Sequence, residues 1–120
     1  MDQSVLDAIT RWPNVPAVYG WLSLSARGAW RLHPLGDAQL GGEGTGIANT
    51  QILGFIDRNY ACEPDGRWFF QNGPQRVYVR LDAAPFVLHL RPDSHALVTH
   101  NALTIQAVTH WFADDQGQLY

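Results

Sequence analysis

The sequence contains no lysine, since all eight of its basic residues are arginine. This absence excludes a Schiff-base lysine and the lysine of a phosphate-binding loop. The net charge at neutral pH is −3, whereas a non-specific nucleic-acid binder needs a basic surplus. The composition therefore excludes these lysine chemistries and disfavours nucleic acid as a partner.

Cysteine is nearly absent too, because Cys62 is the single example in the chain. One cysteine cannot form an intrachain disulfide, and this usage fits a reducing compartment. The N-terminus lacks the basic and apolar regions of a signal peptide, and no apolar run is long enough to span a membrane. We therefore expect a cytoplasmic protein with no membrane partner.

The 120 residues are 46% hydrophobic and 16% charged, which is ordinary for a globular protein. This length suffices for one hydrophobic core. The sequence thus predicts a single domain covering residues 1–120.

The clearest structural pattern is a hairpin spanning residues 63–81. Pro64 and Gly66 are typical of a type I turn closed by glycine. Aromatic and β-branched residues at 68–70 and 77–79 flank the segment 72–74, which contains Gly73 and Pro74, so they predict two strands joined by a tight connection.

Alternation along these strands assigns their two faces. A connection of even length places the core residues on one face: Trp68, Phe70, Val77, Val79 and Leu81. The opposite face carries the candidate binding residues: Arg67, Phe69, Arg76, Tyr78 and Arg80. Either the arginines cover the aromatic rings with their stems and guanidinium planes, or this face binds an anion or a protein partner.

Other patterns complete the predicted fold. Apolar periodicity predicts helices over 3–11 and 50–59, the second capped by Asn49, and alternation predicts strands over 17–24, 29–32, 86–90, 96–100 and 107–113. The glycine-rich segment 36–46 is expected to be a flexible surface connection. Hairpin signals dominate, so we expect an α+β fold: an antiparallel β-meander of about 7–9 short strands with two short helices packed on one face.

Three of the predicted turns share one pattern. Each four-residue turn ends in a glycine, at Gly28, Gly66 or Gly117, and we expect a positive φ angle at all three. Tyr19 and Trp21 alternate away from the core, as Phe69 and Tyr78 do, and some of this aromatic surface should remain exposed.

No catalytic or metal constellation is evident in the sequence. The five histidines lack the i, i+4 spacing of a zinc helix, and Cys62 has no second cysteine nearby. No G-x-S-x-G segment is present, and the acidic residues lie at turns or helix ends, where local hydrogen bonding explains them. We therefore predict no catalytic residue, no metal ligand and no cofactor.

The sequence contains the segments RWPNVPAVYGWL at 11–22, NYAC at 59–62 and GRWFFQNGPQRVYV at 66–79. These segments resemble an uncharacterised bacterial family, a domain of unknown function. The resemblance implies a small cytoplasmic bacterial protein and supplies no activity or cofactor. It also implies that related chains continue beyond Tyr120, so that the last hairpin is truncated here.

Two functional hypotheses follow. The first is a non-enzymatic binding or protein-interaction module that uses the aromatic and arginine face, most simply to form a homodimer or to bind another protein. The alternative is a small enzyme or ligand carrier with a site between the helix 50–59 and the sheet.

Overall fold

The computed structural model describes residues 1–90, 97–101 and 112–120. Within these ranges the chain forms two α-helices, α1 (Gln3–Arg11) and α2 (Thr50–Arg58). The strands are β1 (Val18–Leu24), β2 (Trp30–Leu32), β3 (Thr45–Gly46), β4 (Tyr60–Cys62), β5 (Trp68–Asn72), β6 (Gln75–Leu81), β7 (Leu88–Leu90) and β8 (Leu97–Thr99). Both predicted helices are confirmed. The segment 91–95, which joins the predicted strands 86–90 and 96–100, and most of the predicted strand 107–113 lie outside the described residues.

The strands form a six-stranded sheet of order β3-β2-β1-β6-β5-β4 and a separate β7-β8 pair. All neighbours are antiparallel except β1 and β6, which run parallel at the centre. The α+β class is confirmed, but the sheet is mixed and is not a simple meander. The reason is that α2 carries the chain from the edge strand β3 to the opposite edge strand β4. The chain then returns through β5 to place β6 beside β1, and parallel neighbours require such a crossover.

The central hairpin has the predicted register. Its loop consists of Gly73 and Pro74, and Phe70 pairs with Val77. Both residues belong to the buried core, which also contains Leu22, Leu24, Trp30, Ile56 and Val87. Trp68 is half-buried, and its ring contacts the rings of Tyr60 and Phe86. The face assignment of Phe70 and Val77 is therefore correct, whereas Trp68 lies at the margin of the core.

The three glycine-closed turns share one backbone geometry. The φ angles of Gly28, Gly66 and Gly117 are 84°, 91° and 83°, which confirms the prediction. Each glycine amide donates to the carbonyl three residues earlier. Ser25 and Asp114, the first residues of two of these turns, also accept backbone hydrogen bonds through their side chains, as is typical of Ser and Asp in turns.

Strand β1 contains an irregularity that simple alternation did not predict. Val18 pairs with Val77 but Leu22 pairs with Val79, so β1 has two extra residues over this interval. Gly20 lies within it with φ of 87°, and a Cβ atom there would be 2.2 Å from the carbonyl oxygen of Gly36. The extra residues leave Val18 and Leu22 facing the core and change the direction of the side chains between them.

Helix α2 begins as predicted. The Asn49 side chain accepts hydrogen bonds from the amides of Gln51 and Ile52, which satisfies two otherwise unpaired donors. The side chain of Asp2, the residue before α1, makes no such capping bond and instead binds Arg58 at the end of α2. Helix α2 contributes Ile56 to the core. The ion pair between Asp2 and Arg58 links the start of α1 to the C-terminal end of α2.

Candidate functional site

Four of the five candidate binding residues lie together on the sheet face opposite the core. The guanidinium carbon of Arg76 is 3.8 Å from the centre of the Phe69 ring, and that of Arg67 is 4.6 Å from the centre of the Tyr78 ring. Phe69 and Tyr78 are only 4% and 8% exposed. The exposed aromatic surface here belongs to Tyr19, which is 50% exposed and stacks on Tyr78. Arginine stems and guanidinium planes therefore cover the two central rings.

The guanidinium groups on this face also have hydrogen-bond partners within the chain. Arg76 binds the carboxylate of Glu63 at 2.7 Å, and the Tyr78 hydroxyl donates to the same carboxylate. These two hydrogen bonds lower the pKa of Glu63, and the bond from Tyr78 has the larger effect. Arg67 binds Asp65 and donates to the hydroxyl of Tyr19 at 2.7 Å. The charges of this surface are consequently engaged before any partner arrives.

Arg80 is separated from the other four residues by its contacts. Arg31 and Arg80 flank Ser23 on the two strands beside β1, and each donates to main-chain carbonyls of the glycine-rich segment. Arg31 binds the carbonyls of residues 43 and 44, and Arg80 those of residues 38 and 42. The segment predicted to be a flexible connection is thus tied to the sheet from both sides.

A cavity of about 760 Å³ lies between α2 and the core face of the sheet. The alternative hypothesis, a small enzyme or ligand carrier, expected a site at this location between the helix 50–59 and the sheet. Its floor consists of the buried side chains Leu22, Ile56, Phe70 and Val77. The remaining lining residues are Val18, Trp21, Leu32, Pro34, Thr45, Gly46, Ile47, Ala48, Asn49, Ile52, Asn72 and Gln75.

The rim of this cavity is unusually apolar for a surface. Trp21, Leu32 and Ile52 are 42%, 44% and 50% exposed, and all three line the opening. They come from β1, β2 and the first turn of α2, so three separate elements bring apolar side chains to one place. Contiguous exposed apolar surface of this kind typically marks a site where a ligand or partner binds.

Trp21 reaches the rim because of the irregularity at Gly20. A Cβ atom on Gly36 would lie 3.1 Å from the Trp21 ring, so the ring packs directly on this glycine. Simple alternation instead predicts that Trp21 lies on the outer face of a regular strand, away from the cavity. The available signal was the glycine inside a strand pattern, which often marks a bulge.

The cavity has no charged lining residue among those that the structure describes. Its polar groups are the amide side chains of Asn49, Asn72 and Gln75 and the hydroxyl of Thr45. Asn72 pairs with Gln75 at the end of the hairpin, in the same alternation as Phe70 and Val77. The two amides are therefore neighbours on the core face. Gln75 donates weakly to the carbonyl of Pro16 at 3.4 Å, and Asn72 has no side-chain partner within the described ranges.

The groups that could perform nucleophilic or metal chemistry lie elsewhere. His33 Nε2 is 2.8 Å from Ser23 Oγ, but both residues are almost completely buried and so closed to a substrate. Cys62 is exposed and contacts the carbonyl of Glu63. Within the described residues, no three His, Cys, Asp or Glu side chains cluster as a metal site would require. Neither His33, Ser23 nor Cys62 lines the cavity between α2 and the sheet.

The DUF2944 family model, described as "Protein of unknown function (DUF2946)", matches residues 1–120. The chain belongs to this family. The description gives no activity, and no curated protein matches the chain. This family membership agrees with the sequence resemblance to a domain of unknown function.

A solved structure shares the fold of this DUF2944 protein. It is the crystal structure of a DUF1285 family protein from Silicibacter pomeroyi DSS-3, with a TM-score of 0.53 and 18% identity. The alignment covers 89% of this chain and 58% of the other, so the chain spans little more than half the length of that protein. At this identity the likeness concerns the fold alone. In the described part of the DUF2944 chain, neither helix has the length and apolar character needed to cross a membrane.

Proposed function

We propose that this protein binds a small, largely apolar molecule in the cavity between α2 and the sheet. The observation that carries the proposal is the cavity itself, at about 760 Å³ with a predominantly apolar lining. Ligand cavities typically measure about 300–1,000 Å³ and combine apolar walls with a few polar groups. The amides of Asn72 and Gln75 supply such groups at one end.

The rim supports ligand binding in a second way. Trp21, Leu32 and Ile52 expose apolar surface to water at the opening, and a ligand that covered them would remove this surface from water. Burial of apolar area stabilises a complex by about 25 cal/mol per Å² before the cost of association is subtracted. The floor already belongs to the hydrophobic core, so the site is formed before the ligand arrives.

Binding of the neutral fluorescent probe N-phenyl-1-naphthylamine tests this proposal. The wild type should bind the probe, and Ile52→Asp should weaken binding at least about tenfold because the carboxylate would lie at the apolar rim. Ile52 is in the first turn of α2, where a negative charge is compatible with the helix dipole, so this variant should fold.

Leu40→Asp is the matched control. Leu40 is highly exposed and does not line the cavity, so this substitution should leave probe affinity unchanged. A probe affinity that is the same in Ile52→Asp as in Leu40→Asp, or no binding by the wild type, would contradict the proposed function.

The second candidate function is self-association through the surface of Arg67, Phe69, Arg76 and Tyr78, extended by Tyr19. The exposed ring of Tyr19 favours it, because stacked aromatic rings with adjacent arginines are frequent in interfaces. A specific interface of this kind should bury at least about 1,000 Å². Sedimentation of the wild type and of Tyr19→Asp decides the question: the dimer predicts a concentration-dependent mass in the wild type alone. A monomer at every concentration would remove this candidate.

A further inference from the structure

We infer that the molecule bound in the cavity is uncharged and carries a carboxamide-like end, which both donates and accepts hydrogen bonds. This inference rests on the proposed function and specifies the chemistry of the same site. Two features of the cavity carry it: the absence of charged lining residues among those described, and the adjacent amides of Asn72 and Gln75.

The first feature concerns charge. An ion that leaves water for an apolar site loses its hydration, and only an opposite charge or several hydrogen bonds can compensate for that loss. Two arginines adjoin lining residues in sequence, Arg31 in β2 and Arg76 in β6. Their guanidinium groups are held in hydrogen bonds to the glycine-rich segment and to side chains of the opposite face. The start of α2 also borders the cavity, but the amides of Gln51 and Ile52 already donate to the Asn49 side chain. An anionic ligand such as a fatty acid would therefore find neither a counter-ion in the described lining nor these two amides free to bind it.

The second feature concerns hydrogen bonding. Side chains at directly paired positions of antiparallel strands have Cβ atoms about 4.5–5.5 Å apart, so Asn72 and Gln75 can approach the same ligand group. Each primary amide offers one acceptor oxygen and one donor NH₂ group. A purely hydrocarbon ligand would cover these amides without pairing them, which is unfavourable. A carboxamide can donate to one side chain and accept from the other.

Displacement of N-phenyl-1-naphthylamine by three compounds with the same eight-carbon acyl chain tests the inference. Octanamide is neutral and both donates and accepts hydrogen bonds, whereas methyl octanoate is neutral and only accepts them. Octanoate is negatively charged when the assay pH is well above its carboxyl pKa. We expect octanamide to displace the probe at the lowest concentration. For the same displacement, octanoate should need a concentration at least roughly tenfold higher than octanamide. In Asn72→Ala/Gln75→Ala, the advantage of octanamide over methyl octanoate should disappear, while octanoate should remain the weakest competitor.

Gln39→Ala is the control, because it removes an exposed amide that does not line this cavity and should leave the ranking intact. Octanoate that competes as well as octanamide would overturn the inference on charge. An amide advantage that survives in the double variant would overturn the role of the amide pair. Either result leaves the proposed function standing as long as Ile52→Asp still weakens probe binding. A wild type that does not bind the probe contradicts both proposals.

Discussion

Replacement of Gly20 by alanine is the most informative perturbation of this fold. Gly20 has a φ angle of 87°, a conformation that L-residues with a side chain seldom adopt. In addition, an alanine Cβ there would lie 2.2 Å from the carbonyl oxygen of Gly36 and 2.9 Å from its carbonyl carbon. These obstacles are backbone atoms, so no side-chain rotation can relieve the contact.

The expected cost has two parts. The left-handed conformation costs about 1–2 kcal/mol for a non-glycine residue. The forced displacement of backbone adds about 1–3 kcal/mol, as overpacking does in well-packed cores. Gly66→Ala isolates the first part, because Gly66 has a φ angle of 91° and no atom within 4 Å of the added Cβ.

Urea denaturation and thermal unfolding measure both variants. We expect Gly66→Ala to lower the free energy of unfolding by about 1–2 kcal/mol and Gly20→Ala by about 2–5 kcal/mol. For a domain of this size, each 1 kcal/mol corresponds to a shift of roughly 4 °C in Tm. The Trp21 ring should also move from the cavity rim, so Gly20→Ala should weaken probe binding under conditions where it is folded. Equal losses of stability in the two variants would refute the close approach of Gly20 to Gly36.

Three further outcomes are expected. Burial, with a smaller effect of the neighbouring His89, lowers the pKa of His100 to about 4, so the unfolded chain binds more protons than the folded chain between about pH 6.5 and 4. The free energy of unfolding should therefore decrease as the pH is lowered through this window. Urea titrations at several pH values should show a weaker dependence of this free energy on pH in His100→Gln than in the wild type. Substitution of both Arg31 and Arg80 by alanine should release the glycine-rich segment, so limited proteolysis within 36–46 should become faster. Gly66→Ala is the control for a general loss of stability, and cleavage within 36–46 should be faster in the double variant than in Gly66→Ala at equal free energy of unfolding. Asn49→Ala should lower the free energy of unfolding by about 1 kcal/mol because α2 loses its N-terminal cap, and a loss no greater than the scatter between repeated urea titrations would argue against that cap.

Local patterns predicted the local structure well. The apolar spacing over 3–11 and 50–59 predicted both helices, and Asn49 predicted the start of the second. Turn chemistry predicted the positive φ angles of the three glycines, and alternation predicted the burial of Phe70 and Val77. These features depend on residues close in sequence, so composition and spacing are sufficient to indicate them.

The topology depended on information that local patterns do not contain. The parallel pairing of β1 with β6 joins segments more than fifty residues apart, and hairpin signals do not determine which strands meet at the centre of a sheet. Arg80 illustrates the same limit. Alternation placed it beside Arg76 and Tyr78, but its guanidinium group binds the carbonyls of residues 38 and 42, which a strand pattern cannot reveal.

The candidate cavity was only partly accessible to sequence reasoning. The predicted helix 50–59 and the predicted sheet indicated where a cavity could lie. Its rim, however, depends on the two extra residues in β1 that redirect Trp21. The surface predicted for binding, by contrast, has its central rings covered by the chain's own arginines. Whether a side chain's partner comes from the same chain or from another molecule depends on distances that the sequence does not specify.

The most direct test of ligand binding in the cavity is a methyl-selective NMR titration of the protein with octanamide. Assigned methyl groups of Leu22, Ile47, Ile52 and Ile56 should shift progressively and saturate together, since all four line the cavity. The methyl groups of Leu6 and Leu40, which do not line it, should remain unshifted. Shifts confined to residues outside the cavity, or no saturable shift at Ile52 and Ile56, would contradict the account.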